Sequence, residues 1–249
     1  MAQYLRYLTN PVYLLIAINV FIFVLSDLLK LEAVRHYAAL YFPENDKFVA
    51  WQYFSSLFVH GGFTHLLFNM YGLWAFGSPL LQRWGTARFI AFYFVAGLGA
   101  SVIYTLANYY QFQVIFSEVS ALGFSDSVIH DFLISGRGPH SLLEALGRER
   151  LHEFRSIYDV RVIGASGAIY GVLVGFAFMF PQAKLAMIFF PVPIKAMFFV
   201  PLIILVDLFF GLTRYSVGNV AHFAHIGGAF TGLVIMLWWR YSVLSSRSR

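Results

Sequence analysis

The chain contains no cysteine among its 249 residues, and only 12% of its residues are charged. The absence of cysteine excludes disulfides, a thiolate nucleophile and any metal site built on cysteine sulfur. The scarcity of charge argues against an ordinary soluble domain, in which about 25% of residues are charged. These two absences indicate a chain whose main solvent is not water.

Apolar residues make up 59% of the chain, and its mean hydropathy is +0.70. Several uncharged stretches approach the length at which a helix crosses the hydrocarbon core of a bilayer. The net charge of +5 does not indicate a nucleic-acid-binding protein, because the basic residues flank apolar segments, where they orient membrane proteins. We therefore expect a lipid bilayer, and no nucleic acid, as a partner.

Apolar windows predict an all-α bundle of six transmembrane helices, forming a single membrane domain over residues 1–249. The predicted spans are 11–29, 63–82, 89–110, 162–180, 196–213 and 221–239. Six spans put both termini on one side, and cytoplasmic termini place most basic flanking residues inside. Those residues are Arg6, Arg83, Arg88, Lys184, Lys195, Arg240, Arg247 and Arg249. We expect cytoplasmic termini in a bacterial inner (plasma) membrane.

A polar insert at 111–161, between the third and fourth spans, carries a large share of the charge of the chain. Ser141 and Glu144, which follow Pro139, have the spacing of a capping box and predict a helix that starts there. Both a surface helix and a solvated connector fit this composition. We expect the insert to lie outside the membrane.

Polar side chains in the predicted spans are few, because each is costly in a bilayer, and they are not scattered. Five of them stand at the starts of the second, fourth and sixth spans, as His65 and Asn69, then Ser166, then His222 and His225. Since successive helices alternate in direction, these three starts lie on one side of the membrane. The side chains therefore converge at one depth, which the charge bias places near the outer face.

Ser166 is surrounded by small residues, since Gly164 and Gly167 flank it. Small neighbours give a nucleophile access to its substrate, although the same residues commonly pack transmembrane helices. His225 shares a helix face with Gly228, so a neighbouring helix can approach it closely. If that neighbour carries Ser166, the two side chains form a nucleophile and its base. His222, one turn earlier, is the competing base.

His65 and Asn69 are four residues apart on one helix face, so both can point into one small volume. Together they can donate hydrogen bonds to the oxyanion of peptide hydrolysis. The alternative is ordinary hydrogen bonding between helices. Tyr170, one turn after Ser166, is positioned to pack against the ring of His225.

Three ordered runs carry these residues. They are Gly164-Ala-Ser-Gly167 with Tyr170, His60-Gly-Gly-Phe-Thr-His65-Leu-Leu-Phe-Asn69, and Ala221-His-Phe-Ala-His225-Ile-Gly-Gly228-Ala-Phe-Thr-Gly232. In these runs the chain resembles the rhomboid family of intramembrane serine proteases.

The resemblance implies a rhomboid-type six-helix bundle that cleaves transmembrane proteins in or near their membrane spans. It implies Ser166 as nucleophile and His225 as base, with no cofactor and no metal. It implies further that His65, Asn69 and the Ser166 amide form the oxyanion site, and that Tyr170 stacks on the catalytic histidine. The chain departs from the family in its long insert and in Gln52 after Trp51, where rhomboids often have arginine.

Asp207 has no evident spacing relation to His225, so the prediction is a Ser–His dyad without a third acidic group. A metal-dependent membrane protease is one alternative, with His222 and His225 joined by His60 or His65, although the His-Glu-x-x-His motif is missing. A transporter or haem-binding protein is another alternative. The last is a catalytically inactive rhomboid-like protein that binds membrane clients.

Overall fold

The computed structural model describes residues 9–187, 190–213 and 221–247, and helices dominate it. The expected helical architecture is confirmed, and two short antiparallel sheets, which the sequence analysis did not predict, accompany it. The helices are α1 (Pro11–Phe23), α2 (Glu32–Ala38), α3 (Gln52–Ser55), α4 (Phe63–Gly72), α5 (Ser78–Trp84), α6 (Thr86–Ala121), α7 (Asp126–Ser135), α8 (His140–Tyr158), α9 (Ser166–Met179), α10 (Ala196–Leu212) and α11 (His222–Arg247). The strands are β1 (Leu40–Tyr41), β2 (Arg161–Val162), β3 (Lys184–Met187) and β4 (Phe190–Lys195).

Helical segments occupy all six predicted spans. Three are long and apolar enough to cross a membrane by length and composition, at Pro11–Leu28, Thr86–Ala121 and His222–Arg240. The shorter apolar helices α9 and α10 account for the fourth and fifth spans, and a π-helical stretch at Leu73–Gly77 joins α4 to α5 in the second. The number of membrane crossings stays a prediction, and residues 1–8 and 248–249, at the two termini, lie outside the described residues.

Helices α6, α9 and α11 pack together closely because small residues face one another. A Cβ atom built on Gly228 would lie 1.8 Å from the backbone oxygen of Gly167, so α9 and α11 touch backbone to backbone. On the other side of α9, a Cβ atom on Gly171 would lie 2.5 Å from the Cβ of Ala96 in α6. Such close approach is how helices associate in lipid, where packing replaces the hydrophobic effect.

The predicted insert has an apolar core of its own. Helix α6 runs without a break to Ala121, so the predicted boundary at 111 falls inside a helix rather than at its end. Helices α7 and α8 fold back onto its last turns. Their buried side chains form one cluster with Phe42 from the first loop, and the cluster includes Phe112, Ile115, Val119, Ile129, Phe132, Leu133, Leu142, Leu151, Phe154, Ile157 and Tyr158. The insert is a packed unit, not a solvated connector.

The helix predicted after Pro139 is present, but the capping box is wrong. Helix α8 begins at His140, so Ser141 lies within its first turn, and no side chain caps its N-terminus. Glu144 bonds the imidazole of His140 instead, with 3.1 Å between Nδ1 and Oε1. The helix is also kinked at Gly147, which has a φ of 75°.

Two contacts fasten the first loop to the end of the insert, and Gln52 adds hydrogen bonds within the loop. Strand β1 pairs with β2 in the register Leu40 opposite Val162, and the side-chain amide of Asn45 donates to the carbonyl of Tyr158 at 2.9 Å. Gln52 is buried, and its amide nitrogen donates to the carbonyl of Lys47 at 2.9 Å. Its amide oxygen accepts from backbone N–H groups at 3.1 and 3.3 Å. Gln52 thus holds the first loop together through hydrogen bonds with its backbone.

Candidate active site

Ser166 is the first residue of α9, and the turn before it depends on Gly164. That glycine has a φ of 122°, in the region that favours glycine, and its N–H donates to the carbonyl of Ser56 at 2.9 Å. A Cβ atom on Gly164 would lie 2.8 Å from both Cε1 and Nε2 of His65. The absence of a side chain at residue 164 therefore lets the imidazole of His65 lie against the turn that presents the serine.

The backbone contact between Gly167 and Gly228 brings the serine and the histidine within reach of each other. The distance between Ser166 Oγ and His225 Nε2 is 2.9 Å, which is a normal hydrogen bond. A larger residue at 167 or 228 would separate α9 from α11 and lengthen this distance. These two glycines therefore support the pair through helix packing.

The ring of His225 is held on one face and at its second nitrogen. Tyr170 stacks on it, with 4.2 Å between ring centroids and 10° between ring planes. Its Nδ1 lies 3.2 Å from Oδ1 of Asp207, and the hydroxyl of Tyr170 donates to Oδ2 of the same carboxylate. A carboxylate that accepts from Nδ1–H fixes the tautomer whose Nε2 can take a proton from Ser166.

Asp207 is the functional candidate that the sequence analysis missed. It lies on α10, is 6% exposed, and contacts His225 only because α10 packs beside α11. Contacts between different helices leave no spacing pattern in a sequence. A usable signal was present, however, because Asp207 is the only ionisable residue in the predicted span 196–213.

His222 shares the carboxylate of Asp207 and does not bond Ser166. Its Nδ1 lies 2.6 Å from Oδ1 of Asp207, and its ring stacks on Phe210 with centroids 5.9 Å apart. One carboxylate oxygen thus accepts from two imidazoles, while the hydroxyl of Tyr170 occupies the other oxygen. Of the two candidate bases, the geometry favours His225.

His65 and Asn69 lie on α4, across from Ser166. The backbone N–H of Gly61 donates to Nδ1 of His65 at 3.3 Å, so a neutral His65 carries its proton on Nε2, beside Gly164. The amide of Asn69 donates one N–H to the carbonyl of His65 at 2.9 Å. An amide nitrogen carries two N–H groups, so a second donor of Asn69 stays available.

The side chains of Ser166, His225, Tyr170, His65 and Asn69 all face one cavity of about 830 Å³. It is large enough for a segment of extended peptide and for water. The residues that line it are Arg35, Ala39, Gly61, Thr64, His65, Phe68, Asn69, Arg161, Val162, Ile163, Ser166, Ile169, Tyr170, Ala221 and His225.

A Rhomboid domain model matches residues 47–130 and 132–242, which is most of the chain. The chain belongs to the rhomboid family. A mitochondrial rhomboid protein of Schizosaccharomyces pombe, itself uncharacterized, is 28% identical over 80% of this chain and 52% of its own length. Rhomboid protein 1 of Saccharomyces cerevisiae, also mitochondrial, is 26% identical over 96% of this chain and 56% of its own length.

The rhomboid protease GlpG of Klebsiella pneumoniae is 28% identical over 38% of this chain and 34% of its own length. This rhomboid chain thus spans about half the length of the mitochondrial relatives that it matches. It is a membrane-embedded protein, but its relatives come from mitochondria as well as bacteria. The comparisons therefore do not support the predicted bacterial plasma membrane.

The residues that could hold a metal ion are not the ones predicted for a metal-dependent protease. Asp207, His222 and His225 have ligand-type atoms within 4.8 Å of one another. Neither His60 nor His65 joins them in the part of the chain that the structure describes. Hydrogen bonds already link the three groups, and Nε2 of His225 is directed to Ser166. The arrangement fits a serine–histidine pair supported by a carboxylate better than a ligand set for a metal.

His60, just before α4, is fully buried against His65, with their ring centroids 5.0 Å apart. Burial and, to a smaller extent, the neighbouring His65 lower the pKa of His60 from 6.5 to about 4, against weaker opposing effects of a backbone hydrogen bond with Phe58 and of Asp27. His60 is therefore neutral at physiological pH. It contributes an apolar contact and no charge to the candidate site.

We predict that the protein becomes less stable as the pH falls from 6.5 to 4. The unfolded chain takes up a proton at His60 in this range and the folded protein does not, so unfolding is favoured by about 3 kcal/mol at pH 4. Above pH 6.5 the full stability is retained. Thermal unfolding in detergent across this range measures the effect, which His60→Phe should reduce and His130→Phe, at an exposed histidine, should leave in place. Equal pH dependence in the parent and His60→Phe contradicts the prediction.

Proposed function

We propose that this rhomboid protein is an intramembrane serine endopeptidase that cleaves transmembrane proteins in or near their membrane spans. The observation that carries the proposal is the 2.9 Å contact between Ser166 Oγ and His225 Nε2 at the wall of an 830 Å³ cavity. A serine hydroxyl is a weak nucleophile until an adjacent base accepts its proton. The position of His225, whose ring is held by Tyr170 and Asp207, supports its role as that base.

Attack begins when His225 Nε2 removes the hydroxyl proton and Ser166 Oγ bonds to the carbonyl carbon of the substrate. The positive charge that develops on His225 is stabilised by the carboxylate of Asp207 at its other nitrogen. The predicted Ser–His dyad thereby gains a third, buried member. Asp207 keeps its own proton state and acts by orientation and charge.

The negative charge that develops on the substrate oxygen requires donors on the side away from His225. The backbone N–H of Ser166 is one, because the first N–H groups of a helix have no partner within the helix. Nε2–H of His65 and the second amide N–H of Asn69 are the other two. Each such donor contributes about 3–4 kcal/mol to transition-state stabilisation.

His225 then gives its proton to the leaving amine, and the carbon–nitrogen bond breaks. Water, which reaches the serine through the cavity, loses a proton to His225 and releases the acyl group by the same route. The charge distribution in the sequence supports a cavity on the outer face with cytoplasmic termini. Substrates with one span, moving within the bilayer, would enter the bundle from the side.

Two measurements on the protein in proteoliposomes test this proposal. The parent should cut a fluorescent single-span protein at a bond in or next to its span, mapped by mass spectrometry. A fluorophosphonate probe should block cutting and form its adduct on Ser166. Binding of the span without any cut product supports the inactive client-binding alternative, and cutting that a chelator stops but the probe does not supports the metal protease.

A further inference from the structure

Among the described residues that line the active-site cavity, the charged ones are all basic. Two arginines, Arg35 and Arg161, line it together with the site residues. None of the described residues that line it is an aspartate or a glutamate, since Asp207 lies behind His225. A substrate in this cavity is therefore close to positively charged side chains and to no carboxylate among the described residues of the wall.

The two arginines differ in their partners. Arg35 is bonded to Asp27, so its charge is balanced within the protein. Arg161 is exposed, and no described residue forms an ion pair or a side-chain hydrogen bond with it. An unpaired guanidinium at a binding cavity is free to bond a carboxylate of a ligand, in a two-pronged geometry that suits both groups.

Backbone pairing fixes the position of Arg161 relative to the site. Arg161 lies in β2, opposite Tyr41 of β1, so it is held by strand pairing rather than placed on a free loop. It precedes Ser166 by five residues, which span at most about 18 Å when fully extended. Because extended substrate covers the same distance per residue, we expect a carboxylate that it binds to lie within about five residues of the bond that Ser166 attacks.

From these observations we propose that Arg161 selects transmembrane substrates that carry an acidic residue within about five positions of the cleaved bond. The inference rests on the proposed protease function. Arg161 acts by binding the substrate carboxylate and takes no part in bond breaking. Its effect is therefore on kcat/KM for acidic substrates relative to neutral ones.

The test uses one cleavable single-span protein in proteoliposomes. Asp, Asn or Lys is placed singly at each position up to five residues on either side of the mapped cut. At one position or more, the parent should cut the Asp substrate about fivefold faster in kcat/KM than the Asn substrate, the upper range for a partly exposed ion pair. The ratio should shrink as salt is raised, because salt screens such pairs.

Variants of Arg161 test whether this residue causes the preference for Asp over Asn in the substrate. Arg161→Gln should bring the Asp-to-Asn ratio close to one, and Arg161→Glu should turn the preference toward Lys at the same positions. Arg137→Gln, at an exposed arginine of the insert, is the matched control and should keep the ratio of the parent. Equal rates for Asp and Asn at every position, or an unchanged ratio in Arg161→Gln, overturn the inference while the protease function stands. A parent that cuts none of the substrates overturns both.

Discussion

Replacing Ser166 with alanine is expected to lower cleavage of a transmembrane substrate by at least about 10⁴-fold, to the background rate. The change removes the hydroxyl oxygen that lies 2.9 Å from His225 Nε2 and would bond to the substrate carbonyl. It removes no packing volume that the fold needs, since the neighbours of Ser166 in α9 are small. Appearance of cut product in proteoliposomes, followed over hours, measures the loss.

Ser127→Ala is the matched control for this experiment, because Ser127 is exposed on α7 and its hydroxyl contacts the hydroxyl of Ser125, far along the chain from the site. It should cleave at the rate of the parent. Both variants should unfold at the temperature of the parent, which shows that the loss is chemical. Undiminished cleavage by a folded Ser166→Ala protein would remove the serine from the mechanism.

Asp207→Asn is expected to lower kcat by about 10²- to 10⁴-fold with little change in KM. Asparagine has nearly the same shape, but its amide carries no charge to stabilise a protonated His225. Its NH₂ group, if turned toward Nδ1, also favours the wrong tautomer of the ring. Steady-state kinetics on the reconstituted protein separates kcat from KM.

A loss of kcat alone distinguishes a positioning role from loss of fold. Asp207→Glu keeps the charge and should have a higher kcat than Asp207→Asn. If Asp207 were needed only for the fold, the kcat of a variant would not depend on whether it keeps the charge. The matched control is Asp131→Asn, on the exposed side of α7, which should match the parent. If Asp207→Asn raises KM and leaves kcat unchanged, the carboxylate does not support His225.

The sequence predicted the helices and the elements of the site because those features are local. Ser166 and His225 stand out as polar residues at the starts of apolar segments, and the glycines beside them indicate close helix packing. Asp207 depends on how α10 lies against α11, which periodicity within one helix does not encode. The same holds for Gln52, whose value as a loop anchor depends on backbone groups from residues 41 to 49.

The insert shows a second limit of sequence patterns. Its polar composition distinguishes it from the apolar spans in the sequence, but a change of composition does not end a helix. Helix α6 keeps its backbone hydrogen bonds to Ala121 while its buried face passes from one core to another, from Ala100 to Phe112. A boundary drawn from hydropathy at 111 therefore marks a change of surroundings, and the chain continues as the same helix.

Helix α6 has mechanical consequences. Its 36 residues make a rod about 54 Å long, whereas the hydrocarbon core of a bilayer is about 30 Å thick. The same rod carries the insert at one end and leans on α9 further along, where Ala100 touches the glycine next to Ser166. Residues 86–121 form one helix without an internal hinge. A displacement of the insert therefore tilts the whole helix, including the part that contacts the first turn of α9.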